Sequence, residues 1–437
     1  MTPRHSLLSL LVLAGCFGSG APPGPAGQAT AVFSVPQNTT SHEQCNGMAK
    51  YIGDVAIAQG SGGYAVELPW EGPGCDSSGG MFPQITVDVL QFDGAGTTPA
   101  GTSVGSAGST SGTTHPRVAA DGATGAVAWA FSNQGGMGGP GGPDIDVGVV
   151  QPNLPTIAPT GIGLTQPTGN VDVAGMTIGA AATWLAVTES NMTQPDVDLP
   201  TFPCCNNPAI GSIGQGSLWR VGFATGALTV TEVGTAMAFP AGLPTPIVSN
   251  TDTVFYVVRP MSGIAELGAI PKTGTSDADR IHLASLDTTI SPSPMPVGLA
   301  ADDQHFVWAV SVDAGVSPDA HGCAIFALDL AMPLGTAQPQ TLFTSTAFSC
   351  MGLAVDATDV YFTIVGIDHD SNAMLGEGLG RVALADGTFE SIALHMVGAY
   401  AGPRRIIVDN VDDAIYAIDP VVVGKLPKTA LAGGHDF

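Results

Sequence analysis

The sequence predicts an all-β fold: a seven-bladed β-propeller of four-stranded antiparallel blades, closed by an N-terminal strand. Three observations carry that expectation. A motif recurs along the chain at a period of roughly 50 residues, the signature of a stacked or radial repeat architecture. Each copy reads as strand, tight turn, strand, loop and strand. No long segment keeps the 3.6-residue apolar period of a helix.

The repeats are clearest in the C-terminal half. Residues 299–308 (LAADDQHFVW) align without gaps to residues 353–362 (LAVDATDVYF). Residues 247–256 (IVSNTDTVFY) fit the same frame, 406–416 (IIVDNVDDAIY) with one inserted residue and 118–129 (VAADGATGAVAW) with two. Residues 55–66 and 177–187 are weaker copies. The aromatic anchors Tyr256, Trp308, Phe362 and Tyr416 stand 52, 54 and 54 residues apart. Seven copies imply seven blades, each sheet packing radially on its neighbours.

Within a copy the first strand is small and apolar (Val297-Gly298-Leu299-Ala300), which suits a crowded inner position. The second is β-branched and aromatic, which suits a sheet interior. A third follows, as in residues 324–328 and 380–384, with a Gly turn such as Asp386-Gly387 beyond it. The last copy runs out after about three strands. Its fourth is expected from residues 30–35 (TAVFSV), giving one domain over residues 30–437.

Met351-Gly352-Leu353-Ala354-Val355-Asp356, followed by Val360-Tyr361-Phe362, resembles the NHL and YWTD-type propeller repeats of secreted bacterial lipoproteins. The resemblance implies a fold and leaves activity open, because propellers host many functions. Some enzymes on this fold, such as streptogramin lyases and gluconolactonases, use a His base or acidic metal ligands near the central channel. Neither set can be placed on this sequence, so no catalytic residue is assigned.

Upstream of the repeats, Arg4 and His5 precede an apolar run at residues 7–14, too short for a bilayer span of roughly 20 residues. It ends in Leu13-Ala14-Gly15-Cys16, which resembles a bacterial lipobox. That resemblance implies a signal peptide over residues 1–15 and a lipid on Cys16, followed by a tether over 16–29 that includes GSGAPPGPAG. Phe17 stands where an Asp would favour inner-membrane retention, so the expected address is the outer membrane or cell surface.

Composition narrows the function classes. Hydrophobic residues make up 44% and charged residues 11%, enough to bury a core. Lys+Arg number 12 against 37 Asp+Glu, a net charge of −25 that repels phosphates and excludes nucleic acid as a partner.

With Cys16 lipidated, six cysteines remain: Cys45, Cys75, Cys204, Cys205, Cys323 and Cys350. An exported address favours disulfides. Cys45–Cys75 and Cys323–Cys350 are the economical pairs, while Cys204 and Cys205 could join each other or reach elsewhere. Zinc is disfavoured, since no Cys-x-x-Cys and no finger-spaced His occurs.

Several site patterns match in letters and fail in context. Residues 101–105 (GTSVG) satisfy the nucleophile-elbow expression inside what reads as a Gly/Ser/Thr linker. Residues 136–141 (GMGGPG) satisfy the dinucleotide fingerprint with no helix to follow. Asp368-His369-Asp370 opens like a calcium loop, but Ala373 replaces the turning Gly and Leu379 the bidentate Glu. Asp368 and Asp370 are kept as a weak calcium candidate. The recurring acid of the first turn, at Asp121, Asn250, Asp302, Asp356 and Asp409, is expected to close the turn by accepting backbone N–H bonds.

Alternating strand direction puts every second-to-third-strand loop on one face. The long ones are residues 71–80, 132–143, 189–216, 311–322 and 365–379. They carry Glu71, Asp76, Glu189, Asp196, Asp198, Asp313, Asp319, Asp368, Asp370 and Glu377, without a Lys or Arg. The leading expectation is a lipid-anchored, monomeric binding or scaffold module. A protein or small-molecule ligand would sit on this face, and calcium is a possible cation there. The alternative is a metal-assisted lyase or hydrolase working at the central channel.

Overall fold

The computed structural model describes residues 27–35, 50–69, 85–94, 102–110, 116–133, 144–151, 157–163, 170–190, 215–223, 227–235, 237, 239, 246–258, 265–286, 295–313, 321–346, 348–368, 373–396 and 405–431. Strand β1 (Gly27–Ser34) comes first in the chain and last in the ring. Blade 1 is β2 (Lys50–Ile57), β3 (Gly63–Pro69), β4 (Ile85–Phe92) and β5 (Thr102–Thr110). Blade 2 is β6 (Arg117–Asp121), β7 (Ala126–Asn133), β8 (Asp144–Val150) and β9 (Ile157–Gly163). Blade 3 is β10 (Asn170–Ile178), β11 (Ala182–Ser190), β12 (Gln215–Gly222) and β13 (Thr229–Gly234). Blade 4 is β14 (Ile247–Ser249), β15 (Thr253–Val258), β16 (Glu266–Pro271) and β17 (Ile281–Ser285). Blade 5 is β18 (Met295–Ala301), β19 (His305–Asp313), β20 (His321–Asp329) and β21 (Gln340–Ser345). Blade 6 is β22 (Ser349–Val355), β23 (Asp359–Asp368), β24 (Ala373–Ala383) and β25 (Phe389–Met396). Blade 7 is β26 (Arg405–Asp409), β27 (Ala414–Ile418), β28 (Val422–Pro427) and, outermost, β1.

These are the seven four-stranded antiparallel blades that the repeats predict, and the N-terminal strand closes the ring. Thr30 lies opposite Lys425 and Ser34 opposite Val422, so β1 covers the edge that β28 would otherwise expose. The strand opens at Gly27, inside the stretch the sequence assigns to the tether. Gly27–Ala29 pair in parallel with Leu394–Met396 of β25, which fuses the last two blades into one eight-stranded sheet.

Each blade packs on two neighbours, so both faces of a sheet are buried. The second strands accordingly lose the alternation of a half-solvated strand: all six residues of β15 are buried. The core is a ring of apolar clusters between blades. Phe255 of blade 4 stacks on Phe306 of blade 5 at 4.6 Å, and Phe343 of blade 5 lies 4.7 Å from Phe389 of blade 6. Three of the second-strand aromatics have glycine of the third strand beside them within their own sheet. Gly148 faces Trp129, Gly268 faces Tyr256 and Gly380 faces Phe362, each so closely that a Cβ would collide with the ring.

Cys323 in β20 and Cys350 in β22 form a disulfide, with Cα atoms 5.4 Å apart, that ties blade 5 to blade 6. Cys16, Cys45, Cys75, Cys204 and Cys205 lie outside the described residues.

Three expected loops are partly strand. β23 continues through the β-branched run Ile364, Val365 and Ile367 to Asp368, which pairs with Ala373, so most of residues 365–379 form a hairpin. β19 runs to Asp313 opposite His321, and β11 to Ser190. The GTSVG stretch is likewise no linker: residues 102–105 belong to β5, the outer strand of blade 1. Residues 136–141 lie outside the described residues.

Candidate functional site

The innermost strands β2, β6, β10, β14, β18, β22 and β26 line the axis of the ring. Each begins at the face of the second-to-third-strand connections and ends in a short turn at the opposite face. In β2, β10, β18 and β22 the pairing is broken by a bulge, between Ile52 and Asp54, Val173 and Gly175, Pro296 and Gly298, and Met351 and Leu353. A bulge bends the strand and re-aims its side chains. At the last of them Gly352 takes φ 55°, a conformation that favours glycine.

Three charged side chains make contacts between blades along these strands. Arg405, first residue of β26, donates Nη1 to Oδ1 of Asp54 in β2. The buried Asp54 also accepts the N–H of Val55 on Oδ1 at 2.9 Å and that of Val118 in β6 on Oδ2 at 2.9 Å. Arg117, first residue of β6, donates Nε to the carbonyl of Val173 in β10 at 3.0 Å. Blades 7, 1, 2 and 3 are thereby stitched in succession. Both Asp54 oxygens are occupied, so the group acts as a clamp between blades rather than as a base.

The recurring turn acids occupy the opposite, short-turn face. Asn250 Oδ1 accepts the N–H of Asp252 and of Thr253, at 3.1 and 2.8 Å, and Asp356 Oδ1 those of Thr358 and Asp359, both at 2.9 Å. Asp302 takes the N–H of Gln304 at 2.7 Å, Asp409 those of Val411 and Asp412, and Asp121 that of Ala123 with the Thr124 hydroxyl. Two of them do more. Asp409, fully buried, reaches across the closure seam to accept the N–H of Gly60 at 2.9 Å. Asp356 Oδ2 accepts from Lys428 Nζ at 2.6 Å and from the Tyr361 hydroxyl at 3.0 Å. Burial works to raise the Asp356 pKa, but the Lys428 ammonium and the two turn N–H groups outweigh it and hold the carboxyl below its ordinary range. The Tyr361 hydroxyl is pushed up, first by burial and then by the Asp356 charge. On the same face burial lowers the pKa of Lys272, against the pull of Asp121, Asp252 and Asp303.

On the long-loop face, the connections with described ends span residues 70–84, 134–143, 191–214, 259–265, 314–320, 369–372 and 419–421. Of the ten acids expected there, Glu189, Asp313, Asp368 and Glu377 lie on strands β11, β19, β23 and β24. Glu71, Asp76, Asp196, Asp198, Asp319 and Asp370 lie outside the described residues. The second Asp of the calcium candidate is therefore not placed beside the first. Among the described residues no three His, Cys, Asp or Glu side chains converge as a metal site would require.

No protein-family model matches the sequence, and no curated protein matches it. Solved structures do. A puromycin hydrolase is similar over 93% of this chain at 11% identity with a TM-score of 0.49, and this chain spans 56% of its length. Extracellular domains 1-2 of Drosophila Semaphorin 1b are similar over 92% of this chain and 88% of their own, at 7% identity and a TM-score of 0.45. A lignostilbene dioxygenase of Pseudomonas brassicacearum is similar over 91% and 93%, at 8% identity and a TM-score of 0.37. At such identities the likeness stops at architecture, and no residue role is carried over.

The charged stitch on the axis escaped the sequence reading, although a signal for it existed. Asp54, Arg117 and Arg405 each stand one residue before a repeat frame, those beginning at Val55, Val118 and Ile406. In a chain with 12 Lys and Arg, two arginines at that offset are a pattern. They also qualify the charge of the long-loop face. Its five longest loops lack Lys and Arg, but the connection 259–265 includes Arg259, and the fourth-to-first-strand connections lead into Lys50, Arg117 and Arg405 at the same end of the ring.

Proposed function

We propose that this protein is a lipid-anchored cell-envelope binding module whose long-loop face takes a cationic ligand. One observation carries the reading: the two faces of the ring are built differently. On one, turns such as residues 250–252, 302–304 and 356–358 are short and closed by their own Asn or Asp side chain. On the other, residues 70–84, 134–143 and 191–214 are long insertions on a rigid scaffold, the usual place for recognition. Residues 70–84 and 191–214 hold acids, and none of the three stretches has a Lys or Arg. The Leu13-Ala14-Gly15-Cys16 motif supports the anchor.

Calorimetry tests the binding half with two probes, calcium chloride and a lysine-rich peptide. Either should give heat at low salt that fades near physiological ionic strength, where screening acts over about 8–10 Å. Asp368→Asn with Asp370→Asn should weaken the calcium signal, and replacing residues 191–214 by a two-residue turn the peptide signal. No heat from either probe at low salt would overturn the reading. Intact-mass measurement, with Cys16→Ala as control, tests the anchor.

A further inference from the structure

In blades 3 to 7 the residue that follows the third strand docks on the first-to-second-strand turn of its own blade. The N–H of Phe223 donates to the carbonyl of Ala181 at 2.9 Å, and that of Lys272 to Asp252 at 2.7 Å. Leu330 does the same to Gln304 at 2.8 Å, Leu384 to Thr358 at 2.8 Å and Lys428 to Asp413 at 3.0 Å. In blades 4 and 7 this residue is a lysine, so Lys272 and Lys428 hold equivalent positions of the ring. From there each side chain reaches back to the first turn of the preceding blade. Lys428 finds the turn acid of blade 6: its Nζ lies 2.6 Å from Asp356 Oδ2 and meets Asn410 Oδ1 at 2.8 Å. In blade 3 that acid is missing. Gly179 holds its place, since the Gly179 N–H closes the turn on the Ala182 carbonyl at 2.8 Å as the Asp356 N–H does on that of Asp359 at 3.0 Å.

Lys272 lies against this glycine. A Cβ on Gly179 would stand 3.0 Å from Nζ and 3.4 Å from both Cδ and Cε. The lysine is half-buried, and among the described residues its ammonium has neither a hydrogen bond nor an ion pair. Lys425 and Lys428, by contrast, are held by Asp412 at 2.7 Å and Asp356 at 2.6 Å. The charges that bear on Lys272 are those of Asp121, Asp252 and Asp303, at the first turns of blades 2, 4 and 5. Burial outweighs their pull and leaves the amine below its ordinary range. A desolvated lysine without a contacting counter-ion is the form in which the amine acts as a nucleophile.

We propose that Lys272 is a covalent capture site for a small, uncharged aldehyde or ketone, at the turn where blade 3 lacks its acid. The Nζ lone pair attacks the carbonyl carbon, a proton passes from nitrogen to the former carbonyl oxygen, and water leaves to give an imine. The surrounding carboxylates disfavour anionic carbonyl compounds. The test treats the full chain with glycolaldehyde and sodium cyanoborohydride, which reduces the imine to a stable secondary amine, and reads the label on each lysine by peptide mass. Lys272 should label several-fold faster than Lys425 and Lys428. Gly179→Asp supplies the missing acid and should bring Lys272 down to their rate. Asp356→Asn removes the acid that Lys428 has and should raise the rate there, a comparison that stands even where Gly179→Asp does not fold. A Lys272 that labels no faster than the two paired lysines would overturn the proposal. So would a Lys272 rate unchanged in folded Gly179→Asp, or a Lys428 rate unchanged in Asp356→Asn.

Discussion

Arg405 of the last blade grips the carboxylate of Asp54 in the first, across the seam where the ring closes. Asp54 is buried and also holds the N–H of Val118 in blade 2, so the seam includes a desolvated charge. Removing a single partner from such a pair strands a buried charge and costs about 3–5 kcal/mol, whereas replacing both by apolar groups costs far less. Arg405→Leu is therefore expected to destabilise more than Arg405→Leu combined with Asp54→Val. Urea midpoints of the two variants decide it, and equal midpoints would show the pair to be solvated.

The second seam is β1. Phe33 is 1% exposed and its ring lies 5.4 Å from that of Phe92 in blade 1, so the closing strand packs across to the next blade as well as along its own. Phe33→Ala should cost about 3–5 kcal/mol. Deleting residues 27–35 should do something different in kind, because it bares the edge of β28. Size-exclusion chromatography is expected to show oligomers for the deletion and a monomer for Phe33→Ala.

What the sequence made legible follows from repetition. One hairpin, seen seven times, gives the blade count, the innermost strand and the turn that its acid closes, and a missing fourth strand at the C-terminus points to Thr30–Val35. Positions without a periodic partner were harder. Residues 365–368 read as loop because Gly366 and the acids beyond it look like turn residues, yet pairing with Ala373–Gly376 extends the hairpin. The Asp54–Arg405 contact joins residues at opposite ends of the chain, and only closure of the ring brings them together.

The Cys323–Cys350 bridge closes a segment of sequence separation 27 and crosses from blade 5 to blade 6. The chain-entropy model assigns a loop of that size about 3–4 kcal/mol. The double variant Cys323→Ala with Cys350→Ala should unfold at lower urea than the parent and be insensitive to dithiothreitol. Dithiothreitol should bring the parent down to it. A parent whose midpoint ignores the reductant would show that the bridge does not form.

Asp356 and Lys428 give the fold a predictable acid response. The Asp356 carboxyl is held below its unfolded pKa of about 3.9, so it binds its proton less readily folded than unfolded. Stability from that difference is fully present above the unfolded value and is lost as pH falls through the folded one. Lys428→Met removes the ammonium that opposes burial, and the Asp356 pKa should then rise. The gap between the folded and unfolded values then narrows, so the acid-induced loss of stability should be smaller in Lys428→Met than in the parent, with its onset unchanged. In Asp356→Asn this part of the acid response should disappear, although the turn loses an acceptor charge. Urea midpoints measured from about pH 7 down to pH 3 compare the three. If Lys428→Met and the parent trace parallel curves, the Lys428–Asp356 contact does not set the carboxyl's pKa.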